Sequence, residues 1–220
     1  MPDNSKLDFK LIGVESPFFR EAMEIYHSSF PSNERQEVQV LKNRIKEGNC
    51  RLIACLKEGQ VLAFAVVWEF SGIRFDFLDY FAVRPDFRDR GIGRQLLGNI
   101  RNQVLKKNRI LMIEAENPEF GEGKTDKLRR ISFYEKAGAR WMAGIPYILP
   151  ALDGTENTPM SILAIADNSL LTLPGNEFKS LVLRIFRDVY QRSSSDPVLN
   201  SFIHQIPQIV CLKAYFHGKS

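Results

Sequence analysis

Apolar positions along the chain recur at helical spacing, then at strand spacing, then at helical spacing again. Phe18, Ala22, Ile25 and Tyr26 follow one helix face. They come after Ser16-Pro17, a pair suited to an N-cap and first turn, and Pro31 stops the run. Val38, Leu41 and Ile45 predict a second helix that ends at Gly48. Three β-rich segments follow, over residues 50–57, 61–69 and 73–83, joined by the short turns Glu58-Gly59 and Ser71-Gly72. Such turns predict an antiparallel meander, and Pro85 closes its third strand.

The pattern then returns to helix over residues 91–106, with Ile92, Leu96, Ile100 and Val104 in one stripe. A strand is predicted at 110–115, a polar loop around Gly121 and Gly123, and a helix at about 127–137 closed by Gly138. Two more strands are predicted at 140–149 and 160–166. Past Asp167 the character changes: residues 176–191 carry Phe178, Leu181, Val182, Ile185, Phe186 and Val189 as a strongly amphipathic helix. The run Ser193-Ser194-Ser195-Asp196-Pro197 breaks it, and a short helix and strand follow. The layout predicts an α+β core over residues 1–166, in α/β/α layers, with a helical extension over 167–220.

Composition narrows the class without naming a function. Of 220 residues, 44% are hydrophobic and 25% charged, enough to bury a real core. The longest apolar run, residues 61–67, is strand-sized and too short to cross a bilayer, and residues 1–10 carry no apolar run that could serve as a signal peptide. A cytoplasmic protein with no membrane partner is therefore expected. The net charge of +4 is spread along the chain, with Lys106-Lys107 and Arg129-Arg130 as its densest pairs, which speaks against nucleic acid and for a solvated face or a pocket that takes a phosphorylated cofactor. Cys50, Cys55 and Cys211 form an odd set without metal-ligand spacing. Cys50 and Cys55 fall on opposite faces of one strand, so free thiols are expected. His27, His204 and His217 are scattered, and no metal is expected.

The strongest chemical signal is the run from Val83 to Gly93, which passes from a strand through Arg88, Asp89, Arg90 and Gly91 into Ile92, Gly93 and Arg94 at the head of a helix. Amides in a first helical turn lack internal partners and carry partial positive charge, so they bind phosphate. Glycines allow close approach, and the three arginines add charge. No Gly-x-x-x-x-Gly-Lys-Ser/Thr loop and no three-glycine dinucleotide fingerprint is present.

Residues 78–97, LDYFAVRPDFRDRGIGRQLL, resemble the signature of the GNAT acyltransferase superfamily, Arg/Gln-x-x-Gly-x-Gly/Ala, with the match on Arg88, Gly91 and Gly93. Downstream, Phe133-Tyr134-Glu135-Lys136-Ala137-Gly138 resembles a second element of that family, and the order of elements agrees from about residue 11 to 166. The stretch Lys127-Leu128-Arg129-Arg130 and the pair Ala139-Arg140 depart from the family pattern, and Arg129 or Arg130 is a candidate for CoA phosphate. The resemblance implies a mixed, mostly antiparallel sheet flanked by helices, with two neighbouring central strands splayed apart. It also implies acetyl-CoA as co-substrate, its pantetheine on Phe81, Ala82 and Val83 and its pyrophosphate on residues 88–94.

Transfer of an acetyl group to an amine needs a base, because an alkyl ammonium has a pKa of ~10.4, and an acid for the departing thiolate, for which a phenol near ~10 serves. The resemblance gives the acid role to Tyr134. Strict alternation puts Asp79 on one face of its strand with Phe77, Phe81 and Val83, and Glu114 and Glu116 share a face of the next strand. Asp79 and Glu114 are the candidate bases. Phe30, Glu34 and Glu116 are candidates to touch the acceptor, with Arg35 beside them. The expected activity is direct N-acetyl transfer from acetyl-CoA to a small-molecule or peptide primary amine, by a monomer or homodimer. A CoA-binding sensor that has lost the chemistry is the alternative.

Overall fold

The computed structural model describes residues 7–152 and 156–216. The chain opens with β1 (Asp8–Ile12) and α1 (Pro17–Ser29). The Ser16 hydroxyl accepts the Phe18 N–H at 3.3 Å to start that helix, which buries Phe19, Ala22, Met23, Ile25 and Tyr26. After α2 (Val38–Lys46) the predicted meander follows as β2 (Cys50–Lys57), β3 (Gln60–Glu69) and β4 (Phe75–Val83). Then come α3 (Ile92–Lys106), β5 (Ile110–Glu116), α4 (Lys124–Lys136), β6 (Arg140–Met142), β7 (Ile148–Leu149) and β8 (Thr158–Ile165). The single strand expected over 140–149 is thus two short ones, parted by a turn in which Gly144 has φ +78°. Strand β1 has a weak signal of five residues and was not expected.

The tail contributes more than helices. It forms β9 (Thr172–Pro174), α5 (Gly175–Arg184), α6 (Pro197–Phe202) and β10 (Ile209–Lys213). The sheet runs β1-β2-β3-β4-β5-β8-β6-β10-β9, with β7 paired to β8. The helix expected over 176–191 is α5 followed by a five-residue π-turn at Ile185–Val189. Phe178, Leu181, Val182, Ile185, Phe186 and Val189 all enter the core that also holds the buried faces of α1 and α2. A second core on the opposite sheet face takes Ile92, Leu96, Ile100 and Val104 of α3 with Ile131 of α4. The layers are therefore helices, sheet, helices.

Two details of β4 position the site. The first is a bulge. Tyr80 pairs with Val66 and Leu78 with Val67, which leaves Asp79 as the extra residue without a partner on β3. Alternation is reset there: Phe75, Phe77, Tyr80 and Ala82 face the α1 side, whereas Leu78, Phe81 and Val83 face the α3 side. The expected face shared by Phe77, Asp79, Phe81 and Val83 does not exist, because period-two counting cannot run through a bulge. The second detail is a parting of strands. Strand β4 pairs with β5 in parallel only from Phe75–Leu78 to Ile110–Ile113, while Glu114 and Glu116 pair with Ile162 and Met160 on β8. Beyond Leu78 and Ile113 the two strands separate.

The closed end of that fork is clamped. Arg109 Nε holds the fully buried Asp76 at 2.7 Å, and its other nitrogens reach the carbonyls of Ile73 (2.9 Å) and Phe70 (3.0 Å). One arginine thereby fixes the β3–β4 turn and the entry to β5.

Candidate active site

The fork between β4 and β5 opens into a cavity of about 610 Å³. It passes through the sheet. On the α3 side it is lined by Phe81, Val83, Arg88, Phe133 and Tyr134, and on the α1 side by Phe30, Glu34, Asp79, Tyr80, Glu114 and Tyr190.

On the α3 side, the edge of β4 facing the gap has no ladder partner past Leu78, so backbone groups of Phe81, Ala82 and Val83 are available there. The Arg88 Nε–H folds back onto the Val83 carbonyl at 3.2 Å. Asp89 (φ +60°) and Gly91 (φ +76°) both adopt the left-handed conformation around Arg90. Gly91 then caps α3 without any side-chain bond to the first turn, leaving those amides open for an anion. Arg88, Arg90 and Arg94 are all exposed at this point, and Arg90 lies over the Phe87 ring at 5.1 Å. Of residues 88–94 only Arg88 reaches the cavity wall; the others form the loop and helix start beside it. Gly93 packs against Val83 and Phe133.

Tyr134 is buried on the cavity wall, its ring 6.5 Å from Phe81 and 5.3 Å from Phe133. Burial pushes its phenol up to about 12, with Arg130 pulling the other way. Arg130 itself donates to Glu116 at 2.8 Å, and Lys127 pairs with the other Glu116 oxygen at 3.2 Å. Glu116 thus sits at the cavity rim as an ion-paired acid. Arg129 is exposed beside Asp126.

On the α1 side, Asp79 accepts the Trp68 indole N–H at 2.9 Å. Desolvation raises its carboxyl to about 6, against the Trp68 bond and the Arg44 charge. Arg44 is a buried cation whose guanidinium lies 5.1 Å from the Trp68 ring and donates to the Val189 carbonyl at 2.7 Å. Glu114 accepts the Tyr190 hydroxyl at 2.6 Å. Burial raises Glu114 to about 7, opposed by the hydroxyls of Tyr147 and Tyr190. Glu34 is raised as well, chiefly by burial and then by Glu116. Phe30 stands edge-on to Tyr80 at 5.0 Å, and the Tyr80 hydroxyl donates to the Glu34 carbonyl at 3.1 Å. Arg35 turns away to the His27 carbonyl (2.9 Å).

The structure brings together Phe30, Glu34, Asp79, Phe81, Ala82, Val83, Arg88, Glu114, Glu116 and Tyr134. Sequence reasoning missed Tyr80, Leu149, Leu152, Met160 and Tyr190 on the same wall. For Tyr190 the signal was hidden, since the π-turn that aims it interrupts helical periodicity. For Tyr80 it was the bulge. The cysteines are free, and burial raises Cys50 to about 12 and Cys55 to about 11, so neither is a ready nucleophile. No group of residues that could hold a metal ion occurs among the described residues, and none of their helices is long and apolar enough to cross a membrane.

Residues 48–138 match the family model described as an acetyltransferase (GNAT) domain. A candidate acetyltransferase of Bacillus subtilis (strain 168), YjbC, is 27% identical over 117 residues, 53% of this chain. The match spans 54% of YjbC, about half the length of that relative. Among solved structures, a GNAT-family protein of Bacteroides thetaiotaomicron aligns with a TM-score of 0.71 at 21% identity, covering 84% of this chain and 99% of its own. A Bacillus subtilis acetyltransferase in complex with CoA aligns with a TM-score of 0.53 at 16% identity, covering 73% and 99%. At these identities the structural matches establish the fold.

Proposed function

The chain carries an acetyltransferase domain of the GNAT family, and on that premise we propose that it is an N-acetyltransferase moving an acetyl group from acetyl-CoA to a primary amine by direct attack. The observation that carries this reading is the cavity through the forked sheet. It runs from Arg88, which stands beside an uncapped helix start and two further arginines, to two carboxylates raised toward neutrality on the other side.

The residues present fit CoA. The unpaired β4 edge at Phe81, Ala82 and Val83 suits the pantetheine amides, and Asp89 to Arg94 with Arg88 suit the pyrophosphate. Acetyl-CoA, when bound, supplies an activated thioester carbonyl and a thiolate leaving group.

The amine enters from the α1 side, where Glu34, Asp79 and Glu114 attract its cationic form. A carboxylate whose pKa is near 7 takes the ammonium proton better than one near 4, which makes Glu114 or Asp79 a usable base at physiological pH. The free amine forms the new N–C bond as the C–S bond breaks; the thiolate takes a proton from Tyr134, and the proton that the nitrogen sheds on becoming an amide restores the phenol, so that one ammonium proton is left on the base. Phe30, Tyr80, Leu149, Leu152 and Met160 give the acceptor end apolar walls. Small-molecule and peptide amines both remain within this reading, as does a monomer or a homodimer in the cytoplasm.

The test is thiol release from acetyl-CoA across a panel of diamines, aralkylamines, aminoglycosides and free peptide N-termini, with products identified by mass spectrometry. Saturable release with an N-acetylated product is expected. Tight CoA binding without transfer to any amine would leave a CoA-binding module instead.

A further inference from the structure

Tyr190 lies in the tail, outside residues 48–138, yet it lines the cavity and donates its hydroxyl to Glu114 at 2.6 Å. It gets there by a specific backbone device. At the end of α5 the ladder changes to i→i−5, with the Tyr190 N–H on the Ile185 carbonyl at 3.0 Å. A π-turn inserts one extra residue per turn and rotates everything after it about the helix axis. The turn is then locked by its neighbour: the Val189 carbonyl accepts from Gln36 Nε2 at 2.9 Å and from Arg44 at 2.7 Å, and Arg44 also donates to the Gln36 side chain. Arg44 stacks on Trp68, which holds Asp79. Two consecutive tail residues are thereby wired to two of the acceptor-side carboxylates, Asp79 and Glu114.

Resting on the acetyl-transfer reading above, we propose that Tyr190 is a positioning residue, with the tail's π-turn delivering the hydroxyl that fixes the rotamer and charge of Glu114 toward the acceptor. The acceptor end of the site is then incomplete without the tail. The groups facing Glu114 are Asp79 on β4, Glu34 after α1, Tyr147 before β7 and Tyr190 itself. Asp79 and Glu34 disfavour its charge, and the phenols favour it. The other Glu114 oxygen, Oε1, is buried without a hydrogen-bond partner among the described residues. Tyr190 therefore holds Glu114 Oε2 directly at 2.6 Å, while the Tyr147 hydroxyl faces the same carboxylate and also favours its charge.

The experiment is a pH titration by NMR of the full chain, carboxyl-labelled in its glutamates and saturated with CoA, with Glu114→Gln assigning the Glu114 resonance. Tyr190→Phe keeps the ring and removes the donor, so the Glu114 midpoint should rise by about half a unit, a roughly threefold change in its dissociation constant. Replacing Tyr190 by 3-fluorotyrosine strengthens the donor and should move the midpoint down, and this substitution carries the test if the phenylalanine variant does not fold. Midpoints unmoved by either substitution overturn the proposal. The titration needs no acceptor: failure to acetylate any amine counts against the function, while an unmoved midpoint counts against the positioning role alone.

Discussion

Gly93 stands against Val83 so closely that a Cβ built on it would lie 3.2 Å from Val83 Cγ2 and 3.5 Å from Phe133 Cζ. The contact seats the first turn of α3 on the last residue of β4 and on α4, which sets the open amides of that turn beside the strand edge. Gly93→Ala should push that turn outward, cost about 1–3 kcal/mol by overpacking, and weaken CoA binding by about tenfold. Gly91→Ala meets open space but keeps φ +76°, so its cost of about 1–2 kcal/mol comes from backbone strain. Calorimetric titration with CoA and thermal melts separate the two. Equal CoA affinity in Gly93→Ala and the parent would refute the packing argument.

Tyr134 has a different signature. Its phenol, raised to about 12, stays protonated across the physiological range and can donate at every working pH. Tyr134→Phe preserves the edge-on ring contacts with Phe81 and Phe133, so CoA affinity should hold within about twofold while kcat falls by about 10²–10⁴. The alkaline limb of the kcat/KM profile, if one appears below pH ~11, must then belong to another group. A kcat within twofold of the parent removes Tyr134 from the acid role.

The acceptor-side carboxylates trade stability for chemistry, and the sign is testable. In the unfolded chain Asp79 and Glu114 titrate near ~3.9 and ~4.3; in the fold they rise to about 6 and about 7. Between about pH 4 and pH 7 the native state therefore holds protons that the unfolded state has lost, and stability falls as pH rises through that window. Asp79→Asn and Glu114→Gln should each raise Tm at pH 8, change it little at pH 4, and lower kcat. Scanning calorimetry at the two pH values checks this, and a lower Tm at pH 8 for both variants would contradict it.

Most of this architecture was legible because its signals are local. Ser16-Pro17, Gly48, the turn at Glu58-Gly59, Pro85 and Gly91 each punctuate an element where the structure ends or begins one. Tyr134 and Glu114 were legible for the same reason: one sits in a motif, the other on an unbroken strand. What escaped depends on one-residue insertions. The bulge at Asp79 and the π-turn at Ile185–Val189 each shift register by one position, and nothing in an apolar pattern marks where that happens. The pairing of β10 with β6 was equally silent, because it joins Leu212 to Met142, seventy positions apart.

The Asp76–Arg109 pair offers a control far from the chemistry. Asp76 is fully buried, and Arg109 also satisfies the carbonyls of Phe70 and Ile73. Burial raises the Asp76 pKa while Arg109 lowers it, so removing that cation leaves a buried carboxylate held only by the longer Arg51 pair at 4.0 Å. Arg109→Ala should destabilise by about 3–5 kcal/mol, the range for breaking one partner of a buried pair. Turnover per folded molecule should stay near the parent value, since the pair clamps the closed end of the fork and lines no part of the cavity. Denaturant melts with active-site titration by CoA distinguish the two effects.

Asp79 and Glu114 can finally be told apart by the groups that hold them. Asp79 is tied to Trp68 at 2.9 Å and feels the Arg44 charge behind that ring, which keeps it lower, at about 6. Glu114 faces two carboxylates and is held by the Tyr190 hydroxyl, and its value of about 7 is the better match to a base working at neutral pH. In the proposed reaction Asp79 then holds the incoming cation and Glu114 removes the proton. Trp68→Phe deletes the donor to Asp79 and should raise KM for the amine by several-fold, leaving the acidic limb of the kcat pH profile in place. Tyr190→Phe should instead move that limb upward with KM little changed. The two variants exchange signatures if Asp79 is the base, so steady-state profiles on the same amine, normalised to the folded fraction, decide the assignment.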